Sequence, residues 1–179
     1  EIPLSAYDSC RLISINLKNF VKEKFTSNAY FDFEEFSQTV RDSMRLSDDL
    51  VELELEKLRN IMEVSDTQDE KAMWQKLMDA CSNGRRTGLG THGLADVLAC
   101  LRLAYDSNDA IDATEKIYKT LKEEADHIVD SEDDNALGPH NKGATKSYME
   151  VYSLATAWVL FETLSQRNLV RKQNRRAYL

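Results

Sequence analysis

A chain of 179 residues with 42% apolar and 30% charged residues is long enough to enclose a core, and its balance excludes a disordered or fibrous protein. A net charge of −8 sets the chain as a whole against nucleic acids and anionic membranes. Cys10, Cys81 and Cys100 are odd in number, widely spaced and free of any CxxC, which argues against a disulfide scaffold or a structural zinc site and fits a reducing, cytoplasmic setting.

Leu12 to Leu17 is short, β-branched and apolar, and predicts a buried strand. Ser27 to Tyr30 reads as a polar connection. Asp32 is placed to cap a helix that has Glu34 and Glu35 in its first turn. Phe33, Phe36, Val40 and Met44 follow at helical spacing, and Leu50, Leu53, Leu58 and Ile61 continue the pattern after a bend expected near Ser47, Asp48 and Asp49. Beyond the polar break Ser65 to Asp69, a second helix carries Met73, Trp74, Leu77, Met78 and Cys81. Asn83-Gly84 is expected to end it in a left-handed cap.

Arg86 to Thr91 predicts a second short strand or extended segment. Gly93 to Leu103 predicts a helix with Leu94, Val97, Leu98 and Leu101 inward, and Asn108 to about Val129 predicts another. Residues 130–146, with Gly138-Pro139 and Gly143, read as a linker. A last helix is expected within 147–179, its tail made basic by Arg167, Arg171, Lys172, Arg175 and Arg176. Those cations read as a solvated helix end that complements the helix dipole. Its uncharged run, Val151 to Phe161, is too short to span a bilayer. The fold class is therefore mainly α with a few short strands, α+β, with a first unit over 1–129.

Several residue groups invite a chemical reading. Gly88, Gly90 and Gly93 fit GxGxxG spacing, but no Lys-Ser or Lys-Thr follows, and a tight strand-to-helix turn explains them more simply. His92, at that turn, reads as a surface or capping histidine, with anion binding as the alternative. Glu124 and His127 form a single ExxH pair, where a di-iron bundle needs two. Asp48, Asp49, Glu52, Glu54 and Glu56 read as a solvated acidic face, with a Mg²⁺ site as the alternative. Cys10 differs from the other two cysteines: it stands at a strand entry between a polar turn and Arg11, where an ordinary thiol is the simpler reading of the residues alone and a redox thiol the alternative.

Four stretches occur in one order: EIPLSAYDSCRLISINL, FTSNAYFDFEEF, RLSDDLVELELEKL and WQKLMDACSNGRRTGLGTHGLADVLACL. Together they resemble the catalytic subunit of ribonucleotide reductase, most closely its adenosylcobalamin-dependent (class II) type, from Glu1 to roughly Glu124. The resemblance implies a partial segment of a ten-stranded α/β barrel, predominantly helical when isolated. It implies that Glu1 is the glutamate of an Asn-x-Cys-x-Glu finger loop, the base at the ribose 3′ hydroxyl, with the radical cysteine preceding it. It also implies that Cys10, followed by Leu12, Ser14, Asn16 and Leu17, is one of the two thiols that reduce the 2′ carbon. Neither Cys81 nor Cys100 matches the other thiol, and from about Asp126 the family's continuation is not found.

The implied function is radical-based reduction of ribonucleotides. The implied cofactor is adenosylcobalamin, not expected to bind this chain alone. The implied partners are the ribonucleotide and a complementary N-terminal reductase segment. Alone, the chain is expected to be inactive and to form a homo-oligomer, with no nucleic acid or membrane partner. Two readings compete with this one: a non-catalytic helical interaction module, and a metal-dependent nucleotide hydrolase using the acidic helix.

Overall fold

The computed structural model describes residues 4–130. Glu1, the expected linker beyond Asp130 and the expected helix with its basic tail lie outside the described residues.

Two parallel strands organise the molecule. β1 (Arg11–Asn16) pairs with β4 (Thr87–His92) in parallel, Leu12 opposite Gly88 and Ser14 opposite Gly90. A parallel pair needs a long crossover. Here it holds a 3₁₀ turn (Leu17–Phe20), a small antiparallel pair of β2 (Val21–Lys22) and β3 (Tyr30–Phe31), and the helices α1 (Phe33–Val64) and α2 (Gln68–Gly84). After β4 come α3 (Leu94–Cys100) and α4 (Asn108–Asp130). The described residues are mainly helical, their strands form two two-stranded sheets, and they close no barrel.

Alternation along the strands separates two faces. Ile13, Ile15, Leu89 and Thr91 point at the helices. Ile15 and Leu89 join Phe36, Val40 and Met44 of α1 and Ile117, Tyr118 and Leu121 of α4 in one core, and the Thr91 hydroxyl bonds the Tyr118 hydroxyl at 2.9 Å. At one end of that core Phe20, Phe31 and Phe36 pack with ring centroids 5.2 to 5.9 Å apart. A smaller cluster, Val51, Leu55, Leu58 and Cys81, joins α1 to α2.

Asp32 caps α1 as its position suggests, its carboxylate accepting from the Glu35 amide at 3.0 Å. Asp32→Ala is expected to cost about 1 kcal/mol, read from urea unfolding, while Asp42→Ala on the exposed face of the same helix changes little.

Other expectations are corrected. α1 is one continuous helix through Ser47, where the Ser47 hydroxyl bonds back to the Ser43 carbonyl at 2.8 Å and Asp48 turns inward to an arginine. The strand at Leu12 is not buried on both faces, since Leu12 is 70% exposed. The left-handed residue that ends α2 is Arg85, with φ +39°, and not Gly84. The buried guanidinium of Arg85 holds that conformation through its contacts with α1.

Candidate active-site face

The second face of the strand pair carries the chemistry-bearing residues. Leu12 and Ser14 are exposed there, Asn16 is half-buried, and Cys10 precedes the strand by one residue in the same phase. Opposite them Gly88 and Gly90 add no side chain, and His92 at the far end is exposed. The helices therefore cover one side of the pair and leave Leu12, Ser14 and His92 accessible on the other.

Arginines fix the start of both strands. Arg86 is buried and pairs with Asp8, and its Nη2 donates to the Ser5 hydroxyl at 3.3 Å. The Arg11 amide bonds the Arg86 carbonyl at 3.2 Å. Residues 5–11 are thereby tied to β4, which sets where Cys10 stands. On the helix side Arg11 Nε donates to Glu54 at 2.8 Å, and its Nη2 donates to the Cys81 sulfur at 2.9 Å. Arg85 donates to Asp48 at 2.7 Å and to Glu52 at 2.5 Å.

These contacts correct the reading of the acidic run as a solvated face. Asp48 is buried, and Asp48, Glu52 and Glu54 each engage an arginine. Among the described residues no group of three or more His, Cys, Asp or Glu side chains is arranged to hold a metal ion, which removes support for the hydrolase. Glu124 of the ExxH pair instead meets Arg41 at 2.5 Å. The positioning roles of Asp8 and Arg86 escaped the sequence reading. Their signal was there: a carboxylate two residues before the candidate thiol, and an arginine at the entry of the partner strand.

All three cysteines are free thiols; Cys81 and Cys100 are buried and Cys10 is half-buried. Burial pushes the Cys10 thiol above its ordinary value; Arg11 and Arg86 oppose the shift and Asp8 adds to it. Below the raised value the sulfur is protonated, so at neutral pH it carries hydrogen. Iodoacetamide should therefore modify Cys10 ahead of the other two, yet more slowly at pH 8 than a free peptide thiol, with its rate midpoint displaced to higher pH. A midpoint below that of the free thiol would contradict this environment.

His92 Nδ1 lies 2.8 Å from the Ser14 hydroxyl, so the ring leans back over the strand face. Gly93 makes the following turn at φ +82°, where a Cβ would stand 3.0 Å from Asn16 Oδ1. Its glycine is required by conformation, as the turn reading expected. Among the described residues no helix is long and apolar enough to cross a membrane.

The family profile described as "Ribonucleotide reductase, barrel domain" matches residues 1–128. Among curated proteins the chain is similar to the vitamin B12-dependent ribonucleoside-diphosphate reductase of Mycobacterium tuberculosis, 26% identical over 125 residues, covering 70% of this chain and 15% of the relative. It is also similar to the protein of that name from Thermoplasma acidophilum, 29% identical over 125 residues, covering 70% of this chain and 14% of the relative. The chain thus spans a small part of the relatives it matches. With the profile covering well over half of its length, the chain belongs to the ribonucleotide reductase family, as a segment of the catalytic barrel domain.

Proposed function

We propose that this chain supplies part of the active site of a ribonucleotide reductase, bringing Cys10, and Glu1 from the end of the same segment, to the ribose of a ribonucleotide. The observation that carries the reading is the one-sided strand pair. A barrel strand buries one face under helices and turns the other inward to the ligand. Here the inward face bears Cys10 in phase with Leu12, Ser14 and Asn16, beside a strand whose Gly88 and Gly90 add no side chain.

In this scheme Glu1 takes the proton of the 3′ hydroxyl while a thiyl radical abstracts the 3′ hydrogen. Cys10 and a second thiol give up two hydrogens and form an S–S bond, and the 2′ hydroxyl leaves as water. External dithiol exchange restores the pair. In the scheme the radical cysteine and the second thiol are supplied by another part of the barrel. The names of the relatives point to adenosylcobalamin, which when bound supplies the radical. Neither of the two described surface cavities, of about 290 Å³ and 470 Å³, has the extent of a corrin ring, and the scheme routes no step through that cofactor.

Reconstitution tests the reading. The chain is mixed with a complementary N-terminal reductase segment, and deoxyribonucleotide formation is followed. Activity is expected in the mixture and in neither part alone. Glu1→Gln should lower it by about 10²–10⁴-fold, the usual scale for loss of a general base. A mixture that forms a complex but never reduces nucleotide would favour the non-catalytic interaction module. The two-stranded sheets of the described residues and the exposed Leu12 also support self-association of the isolated chain, which sedimentation will detect. A monodisperse monomer would oppose it.

A further inference from the structure

We propose that His92 is a substrate-binding residue that donates a hydrogen bond to an acceptor oxygen of the nucleotide; the inference rests on the reading of Cys10 as the reducing thiol. His92 stands opposite Asn16 on the face that carries Ser14 and, in phase, Cys10. Its ring is exposed, and Nδ1 is held by the Ser14 hydroxyl at 2.8 Å. With that hydroxyl donating to Nδ1, the neutral ring carries its proton on Nε2 and becomes a donor of fixed direction. Lys18 and Asp96, both exposed, lie near the same end, so the local charge is mixed and the ring acts by its proton rather than by a strong field.

The spacing suits a nucleotide. Four residues of strand separate Cys10 from Ser14, about 13 Å at roughly 3.3 Å per residue. A nucleotide laid along the strand with its 2′ carbon at Cys10 turns either its 5′-phosphate or its base toward His92. The shared chemistry is an anionic or carbonyl oxygen that accepts from Nε2–H. Leu12 is the one side chain of the strand between the two ends on this face, and Gly88 and Gly90 opposite add none.

The test is equilibrium binding to the reconstituted enzyme, using cytidine, uridine and adenosine diphosphates and cytidine itself. His92→Ala is expected to raise Kd about tenfold or more. His92→Gln, which keeps a donor, should recover most of the loss, and Ser14→Ala, which frees the ring, should fall between. kcat at saturating substrate should stay within about threefold, because the contact is made equally in ground and transition states. Equal loss for all three diphosphates with none for cytidine assigns the phosphate oxygen; loss confined to the pyrimidine diphosphates, whose bases alone carry a carbonyl, assigns the base carbonyl; either supports the proposal. Unchanged Kd in His92→Ala, while wild type binds and turns over, overturns it and leaves the role of Cys10 standing. Failure of wild type to bind any nucleotide would instead remove the functional reading itself, and this inference with it.

Discussion

Replacing Asp48 by alanine should lower stability by about 1.5–3 kcal/mol, the range for losing a hydrogen bond to a charged group, because Arg85 keeps only the half-exposed Glu52. The Arg85 side chain is 4% exposed and that of Asp48 8%, so water cannot replace the lost carboxylate. Burial works against the charge on Arg85, yet its hydrogen bonds to Asp48 and Glu52 raise its pKa on balance, and it stays ionised in the variant. Glu52, the second partner, is 43% exposed, so Glu52→Ala should cost only about 0–1 kcal/mol. The contrast between two carboxylates on one arginine is the prediction. Urea unfolding should show a midpoint well below wild type for Asp48→Ala, with unchanged slope. Asp48→Leu combined with Arg85→Met should regain much of the loss, since an apolar pair of similar volume removes both buried charges. A cost under about 1 kcal/mol for Asp48→Ala would mean that the pair is hydrated in solution.

The same pair shows where sequence reading stops. Asp48 belongs to a run of acids on a helix, and a run of acids ordinarily faces water. Only the return of the chain at Arg85, 37 residues later, turns Asp48 inward, and local periodicity contains no trace of that meeting. The helix also continues through Ser47–Asp49, where two residues that disfavour helices are each satisfied, one by a local carbonyl and one by a distant guanidinium. Features set by neighbours in sequence were legible. The Asp32 cap, the strand at Thr87–His92 and the helix from Asn108 follow from capping chemistry, glycine placement and apolar spacing. The β2–β3 pair was not, because two-residue strands carry no period; the aromatic packing of Phe20, Phe31 and Phe36 specifies it. At the candidate site the position of Cys10 at a strand entry was legible and its clamp through Asp8 and Arg86 was not. The exposure of Leu12 in turn depends on what stands across the sheet, which no six-residue window records.

Cys10→Ser should abolish multiple turnover in the reconstituted reductase, by roughly 10³-fold or more, the scale reached when a member of a cooperating catalytic set is removed. Serine keeps the size and the polar tip of the side chain but cannot form an S–S bond, so the two electrons for the 2′ carbon have no source. On the proposed role of Cys10 this loss is chemical rather than structural. Cys10 is half-buried, has no hydrogen-bonded sulfur among its described contacts, and sits in a segment held by Arg86 and Asp8. Stability should therefore move by no more than about 0.5 kcal/mol, and nucleotide affinity should stay near that of wild type. Cys81→Ser makes the opposing case. Its sulfur is buried, accepts from Arg11 and packs between α1 and α2, so it should lose stability and keep turnover in whatever fraction folds. Raising the external dithiol should restore nothing in Cys10→Ser, because exchange acts on a disulfide that this variant cannot make. Turnover that survives Cys10→Ser and still depends on dithiol would move the reducing pair elsewhere in the assembly and leave this segment a scaffold for the ligand alone.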